Sequence, residues 1–238
     1  MSEIPAVPEK ISERKIIVYK SRVDPTIIKL TAEKMKHKLF TKFTFSKNRA
    51  EEIRVVSVDK YYEPYVLIDA KYNLQYYKSK VYTLAVEPET EQVKISGKSY
   101  IPEAEATESG ESRKVIKLEV KMCASYKNKA YLVLDRDGNE IPPNQVPAAP
   151  SEENPEKIVE EFSKKKENVK LTPQKEVNTI KNRIVKRPKN IGEIENELFQ
   201  VSEHAVIYSP IYEITFRNEK TAEEKVIKID GITAKVIS

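Results

Sequence analysis

The sequence predicts an α+β protein: two antiparallel β-rich units joined by a Pro-rich linker and basic helices. Three observations lead there. A tyrosine–proline strand pattern occurs twice, as Tyr61-Tyr62-Glu63-Pro64-Tyr65-Val66-Leu67-Ile68 and as Ile207-Tyr208-Ser209-Pro210-Ile211-Tyr212-Glu213-Ile214. Each copy is followed by a second β-rich run, Lys80–Val86 in one case and Lys225–Asp230 in the other. Between them stand Pro142, Pro143, Pro147, Pro150 and Pro155, which lack backbone donors and resist both helix and central strand.

The elements follow in order. Residues 1–12 carry two prolines and no periodicity, so they read as a flexible tail. Arg14–Tyr19 reads as a strand. Asp24-Pro25 starts a helix, Asp as N-cap and Pro at the first helical position. Ile28, Ala32, Met35 and Leu39 then share one helical face, and Phe43 and Phe45 suggest a strand beyond it. Strands are expected over 53–58, 61–72, 80–86 and 91–95. Ile116, Leu118, Val120 and Met122 alternate with Lys117, Glu119 and Lys121, the pattern of a strand with one wet face; Ala130–Leu134 continues the sheet. Asp135-Arg136-Asp137-Gly138-Asn139 is a hairpin turn, Gly supplying the positive φ. Helices start at Asn154-Pro155, with Ile158, Val159 and Phe162 apolar, and at Thr172-Pro173, with Val177, Ile180 and Ile184 apolar; Pro188 stops the latter. A short helix through Ile194 and Leu198 is expected next. A β unit from Ala205 to Ile237 turns through Arg217-Asn218-Glu219-Lys220. The expected organisation is therefore a tail (1–12), an N-terminal α+β domain (13–141), a Pro-rich linker (142–155), and a helical segment with a C-terminal β unit (156–238).

Composition bounds the function. The chain has 238 residues, 39% hydrophobic and 33% charged, enough for a modest core in each of two units. Abundant Lys and Glu with 5 Gly, 14 Pro, 3 Met and no Trp suit a thermophile, where ion-pair networks and stiff loops are favoured. The single cysteine, Cys123, excludes an internal disulfide and a cysteine metal cluster within the chain, and points to a reducing compartment. No apolar run approaches the roughly 20 residues of a membrane helix, and the N-terminus has no signal-peptide pattern, so a soluble cytoplasmic protein is expected.

Catalytic signatures are sparse. Cys123 sits on the alternating strand with no histidine near it in sequence, which reads as a small semi-buried residue rather than a nucleophile. His37 and His204 have no second metal ligand at useful spacing. The Asp135–Glu140 stretch resembles the start of a calcium loop, but Val146 stands where the twelfth-position Glu belongs. Gly97, Gly110, Gly138, Gly192 and Gly231 are too scattered to build a phosphate-cradling loop. The reading is no enzyme, no cofactor and no metal.

Charge is the positive signal. From Lys164 to Lys189 there are ten basic residues: Lys164, Lys165, Lys166, Lys170, Lys175, Lys181, Arg183, Lys186, Arg187 and Lys189. Only Glu167 and Glu176 oppose them. A second basic stretch from Lys29 to Arg49 includes Lys34, Lys36, Lys38 and Lys42. Such density favours a phosphate backbone through counterion release. Tyr61, Tyr62, Tyr65, Tyr76 and Tyr77 are candidates to stack on unpaired bases. The plain alternative is an ion-paired surface with tyrosines packed in a sheet and with Pro64 and Pro210 marking sheet edges.

The runs Val58–Tyr65, Tyr76-Tyr77-Lys78, Tyr82–Val86 and Gly97–Pro102, with the ending Ile229–Val236, resemble a family of uncharacterised archaeal cytoplasmic proteins with Tyr-x-Pro strand motifs. In that family Gly often stands where this chain has Ala234. The resemblance implies an archaeal origin and a duplicated β-rich fold, and carries no active-site residue. The leading expectation is a non-catalytic RNA- or ribosome-associated protein that uses its basic helical surfaces. The alternative is a protein–protein adaptor or assembly module acting through sheet edges, with a homodimer as one form of it. A third reading, a hydrolase or nuclease, would need Asp59, Asp69, Asp135 and Asp137 to converge on a metal.

Overall fold

The computed structural model describes residues 6–40, 52–106, 111–163, 169–189 and 191–237. The chain is α+β. Its elements are β1 (Glu9–Ile11), β2 (Lys15–Val18), α1 (Pro25–Phe40), β3 (Ile53–Ala85), β4 (Val93–Ile95), β5 (Lys98–Tyr100), β6 (Glu103–Ala106), β7 (Ser112–Leu134), β8 (Glu140–Ile141), α2 (Pro155–Ser163), α3 (Pro173–Ile184), β9 (Ile194–Asn218) and β10 (Glu224–Asp230). Among the described residues eight strands form one mixed sheet in the order β1-β9-β3-β7-β6; β2 and β10 also pair with β9, and β8 with β7. β4 and β5 form a separate hairpin.

Two compact units are present. Unit one comprises residues 1–9, 72–128 and 185–199; unit two comprises 10–71, 129–184 and 200–238. This corrects the expected domains 13–141 and 156–238, because β3, β7 and β9 each contribute to both units. The Pro-rich segment 142–155 is no linker between them. It lies within unit two and follows β2: Lys20 N donates to Pro150 O at 2.8 Å, and Glu152 N donates to Val18 O at 2.7 Å. Pro150 pairs through its carbonyl, which proline retains, and Glu152 through its N–H, so proline content did not free the segment from the fold. Residues 9–11 of the expected tail likewise form β1, and Ser12 N donates to Val201 O at 3.2 Å.

The two tyrosine–proline runs lie side by side in unit two. Glu219 N donates to Glu52 O at 2.8 Å, and Ser202 Oγ donates to Asp69 O at 3.2 Å, so β3 and β9 are antiparallel neighbours. The repeated pattern therefore marks adjacent strands of one sheet rather than two successive β units. Neither strand is an edge. β3 lies between β9 and β7, and β9 lies between β3 and the series β1, β2, β10. Pro210 is accommodated by a change of partner. Tyr208 O accepts from Tyr19 N, the last residue alongside β2, and Pro210 O accepts from Gly231 N, just past β10. N–H and C=O of one strand residue point the same way, so the donor that Pro210 lacks would face the gap between β2 and β10.

Period-two burial explains β3. Tyr62, Val66, Ile68 and Ala70 are buried, while Glu63, Tyr65, Leu67 and Asp69 are half-buried. α1 starts as its sequence requires: Asp24 Oδ1 accepts from Thr26 N at 2.7 Å. Its Ile28, Ala32 and Phe40 pack with Ile53, Tyr212, Ile214, Phe216, Ile227 and Ile229, and Met35 and Leu39 complete the face. Each large side chain so buried stabilises the fold by about 1.5–3 kcal/mol before entropy is counted. α2 and α3 begin at Pro155 and Pro173, as expected. Asp135 holds the β7–β8 turn, its Oδ1 accepting from Asp137 N and Asn139 N, with Gly138 at φ 90°.

Two strand assignments differ from the sequence reading. Ile194 and Leu198 begin β9 instead of a short helix, because strand pairing overrides a two-residue helical spacing. The expected strands 53–58, 61–72 and 80–86 merge into β3. The strand expected at Phe43 and Phe45 lies outside the described residues.

Candidate functional site

The basic residues divide into four groups. Lys164, Lys165, Lys166 and Lys42 lie outside the described residues. Four more are committed to carboxylates of the chain: Lys36 to Glu33, Lys170 to Asp137, Arg183 to Glu140 and Arg187 to Glu197. Lys181 is half-buried on α3. Lys34, Lys38, Lys175, Lys186 and Lys189 are exposed and make no ion pair with a described residue. Lys34 and Lys38 are one turn apart on α1, opposite the stripe that enters the core. Lys175 stands on the solvent side of α3, whose other side buries Val177, Ile180 and Ile184. The stretch 164–189 falls in both units, which meet in sequence between Ile184 and Val185.

Three of the five candidate stacking tyrosines are buried: Tyr61, Tyr62 and Tyr76 are 5%, 9% and 8% exposed. Tyr62 meets Phe162 of α2 edge-on, with ring centroids 5.0 Å apart. Their alternation serves the sheet, which sequence could not distinguish from a stacking platform. Tyr77 is half-buried beneath the Lys121 ammonium.

Two buried charge clusters were not legible in the sequence. In unit one, Arg187 grips Glu197 with two bonds, Nε–Oε1 at 2.7 Å and Nη2–Oε2 at 2.5 Å, and Tyr72 Oη donates to Oε1 at 2.6 Å. Burial and the Glu197 bond push the Tyr72 hydroxyl well above its usual range. In unit two, Glu176 of α3 is fully buried; Arg14 Nη2 donates to its Oε1 at 2.6 Å and His204 Nε2 to its Oε2 at 2.7 Å. Glu176 lies in the first turn of α3, where a carboxylate suits the helix dipole. The Glu197 cluster has its carboxylate hydrogen-bonded on both oxygens, an arrangement that orders a fold. In the Glu176 cluster both carboxyl oxygens are bonded, while Arg14 Nε is buried with no partner among the described residues. His204 is thus a packed, bonded side chain; the His37 side chain lies outside the described residues.

Cys123 is exposed, and its Sγ donates to Glu195 Oε2 at 3.6 Å. Among the described residues no three or more His, Cys, Asp or Glu side chains converge as a metal site. Asp135 is occupied by its turn, Asp137 by Lys170, and Asp69 accepts from Ser202 Oγ. No described helix is long and apolar enough to cross a membrane.

The first tyrosine–proline run also lines a cavity of about 360 Å³ in unit two. Tyr61, Glu63 and Tyr65 project to one face of β3 by period-two alternation, away from the buried Tyr62 and Val66. Ile211 of the second run, Lys228 of β10 and the Asp135–Asp137 turn close the walls. The Lys228 ammonium lies 5.8 Å from the Tyr61 ring centroid. Burial, then the nearby Glu63 charge, raise both hydroxyls, Tyr65 to about 12. No family model, curated protein or solved structure matches the chain.

Proposed function

We propose that the protein is a non-catalytic binder of RNA or a ribonucleoprotein, working in the cytoplasm. The supporting observation is the set of exposed lysines Lys34, Lys38 and Lys175, which pair with no described carboxylate. An ammonium without a fixed partner keeps its full charge for a phosphate, whereas Arg187 and Arg183 are already engaged. The net charge of +5 adds long-range attraction. The reading is tested by fluorescence anisotropy with a labelled RNA across a salt series. Affinity falls steeply with salt, and Lys34→Glu/Lys38→Glu lowers the log–log slope by about 1–2. An affinity independent of salt refutes phosphate contact.

A protein–protein adaptor is favoured by one feature of unit one. Residues 78–85 of β3 are exposed on both faces, with Val81 57%, Tyr82 42% and Leu84 48% exposed. Under this reading a protein partner stays bound after ribonuclease and high salt, and Val81→Lys/Leu84→Lys releases it.

A further inference from the structure

We propose that the cavity beside Tyr61 and Tyr65 binds a small zwitterion, a free amino acid or dipeptide with an apolar side chain. The site goes beyond RNA binding and uses none of the lysines assigned to phosphate.

The inference starts from which lining groups retain hydrogen-bonding capacity. The Asp135 carboxylate is committed to its own turn, accepting from Asp137 N at 2.9 Å, Asn139 N at 2.8 Å and Asn139 Nδ2 at 3.0 Å. Asp137 is held by Lys170 Nζ at 2.7 Å. Arg136 is different. Its Nε stands 3.9 Å from Glu63 Oε1 and 3.7 Å from Asp137 Oδ2, both beyond hydrogen-bond length. A guanidinium on a cavity wall held only by two long ion pairs can exchange them for a ligand carboxylate, which takes two parallel N–H bonds. Glu63, equally loose, can accept from an ammonium group. The Tyr65 hydroxyl stays protonated at neutral pH and can donate.

Charge and shape narrow the ligand class. Glu63, Asp135 and Asp137, with the charges of Glu213 and Asp230 also acting on Tyr61 and Tyr65, outnumber Arg136, Lys228 and Lys170, so the site has no excess positive charge to hold a phosphate dianion. A ligand whose carboxylate is accompanied by an ammonium group answers both Arg136 and Glu63. Ile141, Ile211 and Ile237 provide an apolar wall for a side chain. The volume lies near the small end of small-molecule pockets, roughly 300–1,000 Å³, which suits an amino acid or dipeptide.

The test is thermal shift followed by calorimetry on the full chain. The probes are the proteinogenic L-amino acids and a set of glycyl and leucyl dipeptides at about 10 mM, a concentration at which mass action reveals millimolar binding. At least one apolar or aromatic probe raises the Tm, and the corresponding amide, which lacks the carboxylate, does not. Arg136→Gln and Glu63→Gln each weaken binding at least about tenfold, since each removes a charge-assisted contact. Tyr65→Phe, which deletes only a hydroxyl, weakens it less and guards against a folding artefact; circular dichroism confirms that all variants fold. The proposal is overturned if no probe binds, if binding is equal in all variants, or if AMP or inorganic phosphate binds through Arg136 in preference to the zwitterions.

Discussion

Arg187→Ala separates a structural arginine from a phosphate contact. Sequence places Arg187 inside the densest basic stretch, yet the side chain is 18% exposed and makes two bonds to a Glu197 side chain that is 3% exposed. Alanine leaves that carboxylate buried with only Tyr72 as donor. Stranding one partner of a buried ion pair costs about 3–5 kcal/mol; the remaining Tyr72 bond and the partial exposure of Arg187 favour the lower end, about 3 kcal/mol. For a chain of this size that lowers Tm by roughly 6–12 °C. Urea and thermal unfolding measure it, with Glu197→Gln completing a double-mutant cycle. The pH dependence supplies a second readout. Burial acts to raise the Glu197 carboxyl, but the hydrogen bonds from Arg187 and Tyr72 and the Arg187 charge outweigh it and hold the group below its usual range. A folded value below the unfolded one stabilises the native state fully at neutral pH, and that stabilisation fades as pH falls through the folded value, below about pH 4. Arg187→Ala flattens this acid limb. A loss under about 1 kcal/mol, the range of an exposed pair, with an unchanged acid limb would refute the argument.

Two further stability predictions follow from the fold. Phe216→Ala empties the centre of the α1 core and costs about 3–5 kcal/mol by urea denaturation, because Phe216 is fully buried among α1, β9 and β10. Ala234→Gly stabilises by up to about 1 kcal/mol, because Ala234 holds φ 60° in the left-handed region while its N–H donates to Asp230 O; a lower Tm contradicts the reading.

Local chemistry was informative at Asp24-Pro25, Thr172-Pro173 and Asp135–Asn139, where a cap, a fixed φ or a turn carboxylate acts within a few residues. The candidate site was half legible. Alternation put Tyr61, Glu63 and Tyr65 on one face, but nothing local distinguished that face from the one holding Tyr62. Arg136 read only as a turn residue, although it stands on the cavity wall.

The sequence by itself determined the α+β class, the helix starts, the hairpin turn and the alternation of β3, since each depends on neighbours along the chain. Tertiary structure decided the rest. It set the two tyrosine–proline runs against each other, turned the Pro-rich segment into a docked flank of β2, and buried three of the tyrosines offered for stacking. It also withdrew Arg187 from solvent, because Tyr72 and Glu197, 125 positions apart, meet across neighbouring strands. A charged or aromatic side chain has the same sequence signature whether it faces water, a partner carboxylate or a core. Only strand pairing, which joins residues with no local constraint on one another, selects among those surroundings.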